Sequence, residues 1–320
     1  MDNTLQQLCD LQLSNEEYVK DFRLMDSEEF VKIGALLCTS AGFKPNIEII
    51  KSCKEIIKQK TKKLSDFQGS LGSVLSMKMS ISQSPESYID GVISIYDKII
   101  KGKIFSGSSY IVTAMNIYDR YLSGNIDTDA VTAKTLTAFE ELTKGNPFSD
   151  EWYLPNLALI INEDKDLDSL IKEIKDSCNV IKKDRHLPGD IAMTTGILLA
   201  SSPKPTEDKA NDYCDLYEAL KKQKCLTFSS RGRSIYAMFV DLDEDRDTLI
   251  NNIVEVSEFF KGKKGYGVFS GTDDLRKSVA ASLVLQNYMK SASDQSTSVL
   301  SAIAIEEVIS ALMATVVLFM

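Results

Sequence analysis

The chain has 320 residues, 43% hydrophobic and 26% charged, with 37 lysines and arginines against 46 acids and a formal charge of -9. That balance excludes a disordered or collagen-like chain and argues against a dedicated nucleic-acid binder, although it is compatible with a local basic patch. Its six cysteines, Cys9, Cys38, Cys53, Cys178, Cys214 and Cys225, include no C-x-x-C pair, which points to reduced, buried thiols instead of a disulfide or zinc framework.

The opening MDNTLQQLCD lacks the basic start and apolar run of a signal peptide, so the cytoplasm is the expected address. Beyond it, hydrophobic marks recur at Phe30, Phe67, Phe105, Phe148, Leu187, Phe228 and Phe269, with intervals from Phe67 of 38, 43, 39, 41 and 41 residues. A period of about 40 residues is that of stacked two-helix units. Four of the marks read Phe-Ser, in IFSGSS, PFSDEW, TFSSRG and VFSGTD. The aromatic is read as an anchor in the turn between units, and the serine or aspartate after it as the cap of the next helix.

In the first unit Pro45 and Asn46 precede Ile49, Ile50, Cys53, Ile56 and Ile57, with Lys51, Lys54, Lys58 and Lys62 on the opposite side. In the second, Ser84 before Pro85 and Glu86 predicts a capped helix start, because proline's missing N–H costs nothing in the first turn. Ile89, Val92, Ile93, Tyr96, Ile99 and Ile100 then follow at three- and four-residue steps, and Lys101-Gly102-Lys103 supplies an exit. The fourth unit sets EDKDLDS before Leu170, Ile171, Ile174, Cys178 and Ile181. The fifth sets SSPKPTED before Tyr213, Cys214, Tyr217 and Leu220, and the sixth sets DLDEDRD before Leu249, Ile250, Ile253, Val254 and Phe260. Acids enter these helices and lysines leave them, as the helix dipole prefers.

Seven such units predict a single all-α repeat domain over residues 1–320, either an α-solenoid or a closed α/α toroid, with about two-thirds helix and essentially no strand. The apolar end SVLSAIAIEEVISALMATVVLFM is interrupted by Glu306 and Glu307, leaving a stretch shorter than the roughly 20 residues that cross a bilayer. It is expected to cover the end of the stack, with self-association through this segment or attachment to a membrane or partner as alternatives.

The succession IYDKIIKGKIFSGSSYIVTAMNIYD, NPFSDEWYLPNLALII, SGTDDLRKSVAASLVLQNYM and AIAIEEVISALMA resembles a bacterial family of all-helical proteins known as domain of unknown function four thousand and three. The resemblance runs from about Phe30 to the end. It implies one helical array and carries no catalytic signature.

Chemistry-bearing motifs are few. His186 is the only histidine, so a two-histidine metal site or an H-E-x-x-H motif cannot form within the chain, and RHLPG reads as a turn. The run Asp241 to Asp247 resembles a calcium loop only superficially, because Arg246 takes the glycine position and Asn252 the glutamate position. GKKGYGVFSG lacks the lysine and serine spacing of a phosphate loop and reads as a turn with left-handed positions. Stacked units would align Arg185 and His186 with Arg231 and Arg233 along one edge, a candidate patch for an acidic partner. No catalytic, cofactor-binding or metal-binding residue is assigned. The leading reading is a non-enzymatic scaffold for a protein or peptide; the alternative is an α/α-toroid enzyme using carboxylates such as Asp150, Glu151 or Asp190 on a small molecule.

Overall fold

The structure, a computed structural model, describes residues 1–20, 28–62, 65–102, 107–124, 126–145, 151–164, 166–185, 189–227, 230–267 and 270–291. Of these, the side chains at 28–30, 70, 184, 185, 190, 230, 231, 270–272, 290 and 291 lie outside the description. The described residues form an all-helical protein of fourteen α-helices and no strand, with 78% of positions helical, above the two-thirds expected. In chain order they are α1 (Asn3–Val19), α2 (Glu28–Ser40), α3 (Ile47–Lys60), α4 (Ser70–Ile81), α5 (Pro85–Ile99), α6 (Ser108–Leu122) and α7 (Thr128–Thr143). There follow α8 (Tyr153–Ile160), α9 (Leu167–Arg185), α10 (Gly189–Leu199), α11 (Thr206–Lys222), α12 (Ser230–Ser234), α13 (Arg246–Phe260) and α14 (Ser270–Ser291). A 3₁₀ helix, Ile235–Phe239, continues α12.

Two kinds of helix alternate. The even-numbered ones contain unbroken buried runs, at 31–39, 71–79, 109–117, 153–161 and 274–287, as does the 3₁₀ stretch at 234–240. A helix buried on every face must have neighbours on every face. Serines and threonines sit in these helices by bonding back to carbonyls a turn earlier: Thr39 to Ala35, Thr113 to Ser109 and Ser282 to Ser278, at 2.9, 2.7 and 2.6 Å. Odd-numbered helices keep one wet face. In α5 the buried residues are Tyr88, Ile89, Val92, Ile95, Tyr96 and Ile99. Of the expected stripe Ile89, Val92, Tyr96 and Ile99 are buried, whereas Ile93 and Ile100 are half-buried at its edge and Tyr88 and Ile95 take part instead. Ile49, expected in the core, is instead 43% exposed, because the inward stripe of α3 is Ile50, Cys53 and Ile57 and Ile49 falls to one side of it.

Packing follows chain order. Each even helix lies against the preceding odd one for α2, α4, α6, α8, α10 and α14, and α2 packs on α4, α6 on α8, α8 on α10, α10 on α12 and the 3₁₀ helix on α14. Helices α6 and α8 run parallel. Glu151, just before α8, accepts from Tyr110 at the start of α6 at 2.8 Å, while Arg120 near the end of α6 donates to the Ala158 and Ile161 carbonyls at the end of α8, at 2.5 and 2.7 Å. The first and last described helices also meet, since α14 packs on both α1 and α2. Asn287 donates to Asp2 at 3.2 Å, and Gln286 donates to Ser40.

The helix starts divide in the same way, and here one expectation fails. Asp2, Asn46, Ser84, Asp127 and Asp245 all cap odd-numbered helices through their side chains, as the sequence suggested for Asn46 and Ser84. The even helices α4, α6 and α8 begin at Gly69, Gly107 and Trp152 with no side-chain cap bond, so the residue after the aromatic mark is not the cap there. The position before α6 is two residues past Phe105, and a glycine occupies it. Phe67 does act as an anchor, 4% exposed and edge-on to Tyr96 with ring centroids 4.9 Å apart. Phe105, Phe148, Leu187, Phe228 and Phe269 lie outside the described residues.

Candidate functional site

Of the four residues proposed as a basic patch, only the side chain of Arg233 is described; His186 and the side chains of Arg185 and Arg231 lie outside the description. Arg185 ends α9, Arg231 and Arg233 lie in α12, and α10 packs against both helices. Arg233 is partly committed inward. Its Nε donates to the Thr227 carbonyl at 2.8 Å, its Nη1 lies 3.4 Å from the Tyr217 hydroxyl, and its guanidinium sits 6.0 Å from the Tyr217 ring centroid. It thereby ties the segment before α12 to α11.

The carboxylates considered for acid-base work have structural partners where they are described. Glu151 accepts from Tyr110 at 2.8 Å and Ser109 at 3.3 Å, and burial together with this carboxylate pushes the Tyr110 phenol up from its ordinary value. Asp150 and the Asp190 side chain lie outside the described residues. In the acidic run, Asp241 accepts from the Ser202 hydroxyl at 2.6 Å and Asp245 caps α13 through the Thr248 N–H at 3.0 Å. Gly262 and Gly265 adopt φ of 80° and 79°, the left-handed turn positions expected of GKKGYG. All six cysteines are free and buried, and burial pushes the Cys9 and Cys38 thiols up to about 12.

Two concavities stand out among the described residues. One, about 360 Å³, lies over the start of α13 and is lined by Asp212, Glu244, Asp245, Asp247, Lys204 and Arg246 among others. Its cations are engaged: Lys204 pairs with Asp212 at 2.8 Å, and Arg246 reaches Asp212 and Asp215 at 3.1 and 2.9 Å. The other, about 250 Å³, lies where α1 and α2 meet the turn between α13 and α14, lined by Leu13, Glu16, Glu17, Lys20, Val31, Lys32, Lys263 and Lys264. At this junction Lys32, only 2% exposed, donates to the Gly265 carbonyl at 2.8 Å and stands 4.0 Å from the Tyr266 ring centroid. The fully buried Tyr266 donates to Glu16, and burial with this carboxylate holds its phenol well above the usual value.

Sequence reasoning missed a surface. At the end of α6, Tyr118 and Tyr121 stack with centroids 5.7 Å apart, and Tyr121 and Leu122 are 51% and 56% exposed. Phe43, after α2, is 56% exposed and Tyr18 in α1 is 49% exposed. The signal was present in IYDRYL, where Tyr121 and Leu122 fall off the stripe of α6, but a single misplaced aromatic in an apolar helix is easily read as core. Among the described residues, no helix is long and apolar enough to cross a membrane.

A family model described as "Protein of unknown function (DUF4003)" matches residues 16–314. No curated protein and no solved structure matches the chain.

Proposed function

The chain belongs to the DUF4003 family, whose function is unassigned, and for it we propose a non-enzymatic scaffold, a closed α/α toroid that binds a protein or peptide in the cytoplasm. The observation that carries the binding role is the exposed Tyr121–Leu122 pair, with Tyr121 stacked on the half-buried Tyr118, since tyrosine is enriched at protein interfaces and an apolar cluster left in water favours a partner. Closure of the array is supported by the packing of α14, the last described helix, on α1 and α2, which gives it neighbours that the next unit would supply in an open stack. The reduced, buried cysteines support a reducing compartment. Arg185, His186, Arg231 and Arg233 form, in this reading, a second contact surface for acidic groups.

The test is affinity purification from native cytosol with three chains: the natural one, Tyr121→Ala with Leu122→Ala, and Arg185→Glu with Arg231→Glu and Arg233→Glu. A stoichiometric protein that is retained by the natural chain and lost from the tyrosine variant, with helicity unchanged, supports the scaffold. Its additional loss from the arginine variant supports the second surface. Retention of the same proteins by all three chains refutes both assignments.

A further inference from the structure

We infer that the 250 Å³ concavity at the junction of α1, α2 and the α13–α14 turn is a binding site for a small phosphate-bearing anion, separate from the protein-binding surfaces above. The first argument is charge. Four lysines line it against two glutamates, in a chain whose formal charge is -9. Both acids are already engaged within the protein: Glu16 accepts from Gln12 at 2.8 Å and from Tyr266, and Glu17 accepts from Lys20 at 2.8 Å. Lys263 stands 5.0 Å from the Phe259 ring centroid, and among the described residues no carboxylate pairs with Lys263 or Lys264. Among the described residues, two ammonium groups therefore stand at the rim of a concavity without a carboxylate partner.

The second argument is construction. The Lys32 ammonium is fixed in the floor by the Gly265 carbonyl and the Tyr266 ring, and Leu13 and Val31 supply apolar walls that lower the local dielectric. Gly262 and Gly265, both left-handed, set the turn that presents Lys263 and Lys264. Lysine acts on phosphate as a compact point charge with three donors, and the cations among the described lining residues are all lysines. The volume lies below the range of about 300–1,000 Å³ that accepts drug-sized ligands, which restricts the occupant to a small group such as pyrophosphate or one phosphate ester. Because the walls come from both described ends of the chain, an occupant would also clamp those ends together, and binding would stabilise the whole fold by mass action.

The experiment uses the full chain at low salt with pyrophosphate as probe, read by calorimetry and by thermal melting. Saturable binding with a dissociation constant below about 1 mM and a rise in Tm are expected. In Lys263→Glu with Lys264→Glu, exposed positions whose replacement leaves the circular dichroism unchanged, affinity falls at least about tenfold, whereas the control Lys222→Glu binds normally. Absence of saturable binding overturns the site, as does equal binding by the junction variant and the natural chain. A clear preference for citrate over pyrophosphate overturns the phosphate assignment.

Discussion

Replacing Tyr266 by phenylalanine asks whether the junction between the first and last described helices holds the whole array or only its own corner. The ring stays, packed 4.9 Å from Phe260 and 4.0 Å from the Lys32 ammonium, while the hydroxyl that donates to Glu16 is lost. A hydrogen bond to a charged group contributes about 1.5–3 kcal/mol, so the expected loss is about 2 kcal/mol. With an m-value of about 3 kcal/mol/M in urea, suited to a chain of this size, the midpoint falls by about 0.7 M. The assay follows Trp152 fluorescence beside far-ultraviolet circular dichroism. Trp152 is the only tryptophan and lies just before α8, an element that packs on α6, α7 and α10 and not on the junction helices. In a closed array the two midpoints move together. If the circular dichroism shifts while the Trp152 midpoint stays within about 0.1 M, stability is local, as in an open stack whose units answer only to their neighbours, and closure is wrong.

Gly196→Ala places a Cβ 2.8 Å from the Ile174 carbonyl oxygen where α9 and α10 approach; backbone cannot step aside as a side chain can, so a loss of about 1–3 kcal/mol is expected by urea unfolding, and an unchanged midpoint would contradict the close approach. Arg120→Met strands the Ala158 and Ile161 carbonyls at about 1–3 kcal/mol each, but it also removes a guanidinium whose pKa burial lowers to about 10, so the net loss should stay below about 3 kcal/mol while hydrogen exchange at the end of α8 quickens. Unchanged exchange there would count against the bond. All six thiols should resist a thiol reagent in the native protein and react together in urea; fast native labelling of even one would place it at the surface. Burial raises the Cys9 and Cys38 thiols from 9.0 to about 12 and the Tyr213, Tyr236 and Tyr266 phenols above 10.0, so the folded state keeps protons that the unfolded state releases. Stability should therefore be intact below pH 9 and fall from there to about pH 12, by about 1.4 kcal/mol per pH unit for each group titrating; urea midpoints equal at pH 8 and 10.5 would exclude this.

What the sequence disclosed was set by how local the physics is. Ser84-Pro85-Glu86 is a complete helix start in three residues, and α5 begins at Pro85. The left-handed glycines of the KGKKG turn could be placed for the same reason. Helix α1 escaped notice because two residues of its inward stripe are polar. Gln12 and Asn15 are fully buried, held by bonds to the Lys32 carbonyl at 3.3 Å and the Thr39 hydroxyl at 3.0 Å, partners that no local pattern announces. The concavity beside α1 was illegible on the same account, since its lysines are separated by more than 200 residues and only packing brings Lys32 to Gly265.

An all-helical chain with many similar apolar stripes faces a problem of register that apolar contacts do not solve, because one isoleucine stripe accepts another almost indifferently. The buried charges fall where that ambiguity would arise. Lys78 of α4 pairs with Asp119 of α6 at 3.0 Å, Arg120 of α6 reaches the end of α8, and the fully buried Lys209 of α11 joins Glu173 of α9 and the Ser202 carbonyl after α10. Lys277 of α14 pairs with Asp273 at 2.7 Å and also reaches the Leu226 carbonyl at 3.1 Å, and Lys32 of α2 reaches Gly265. Pairs of this kind add little net stability, since desolvation offsets most of the attraction, but a mispaired neighbour would leave a charge buried alone at a cost of about 3–5 kcal/mol. Each therefore penalises a wrong order of helices more than it rewards the right one. The last two penalties act on α14 and α2, the helices whose meeting joins the described ends of the chain.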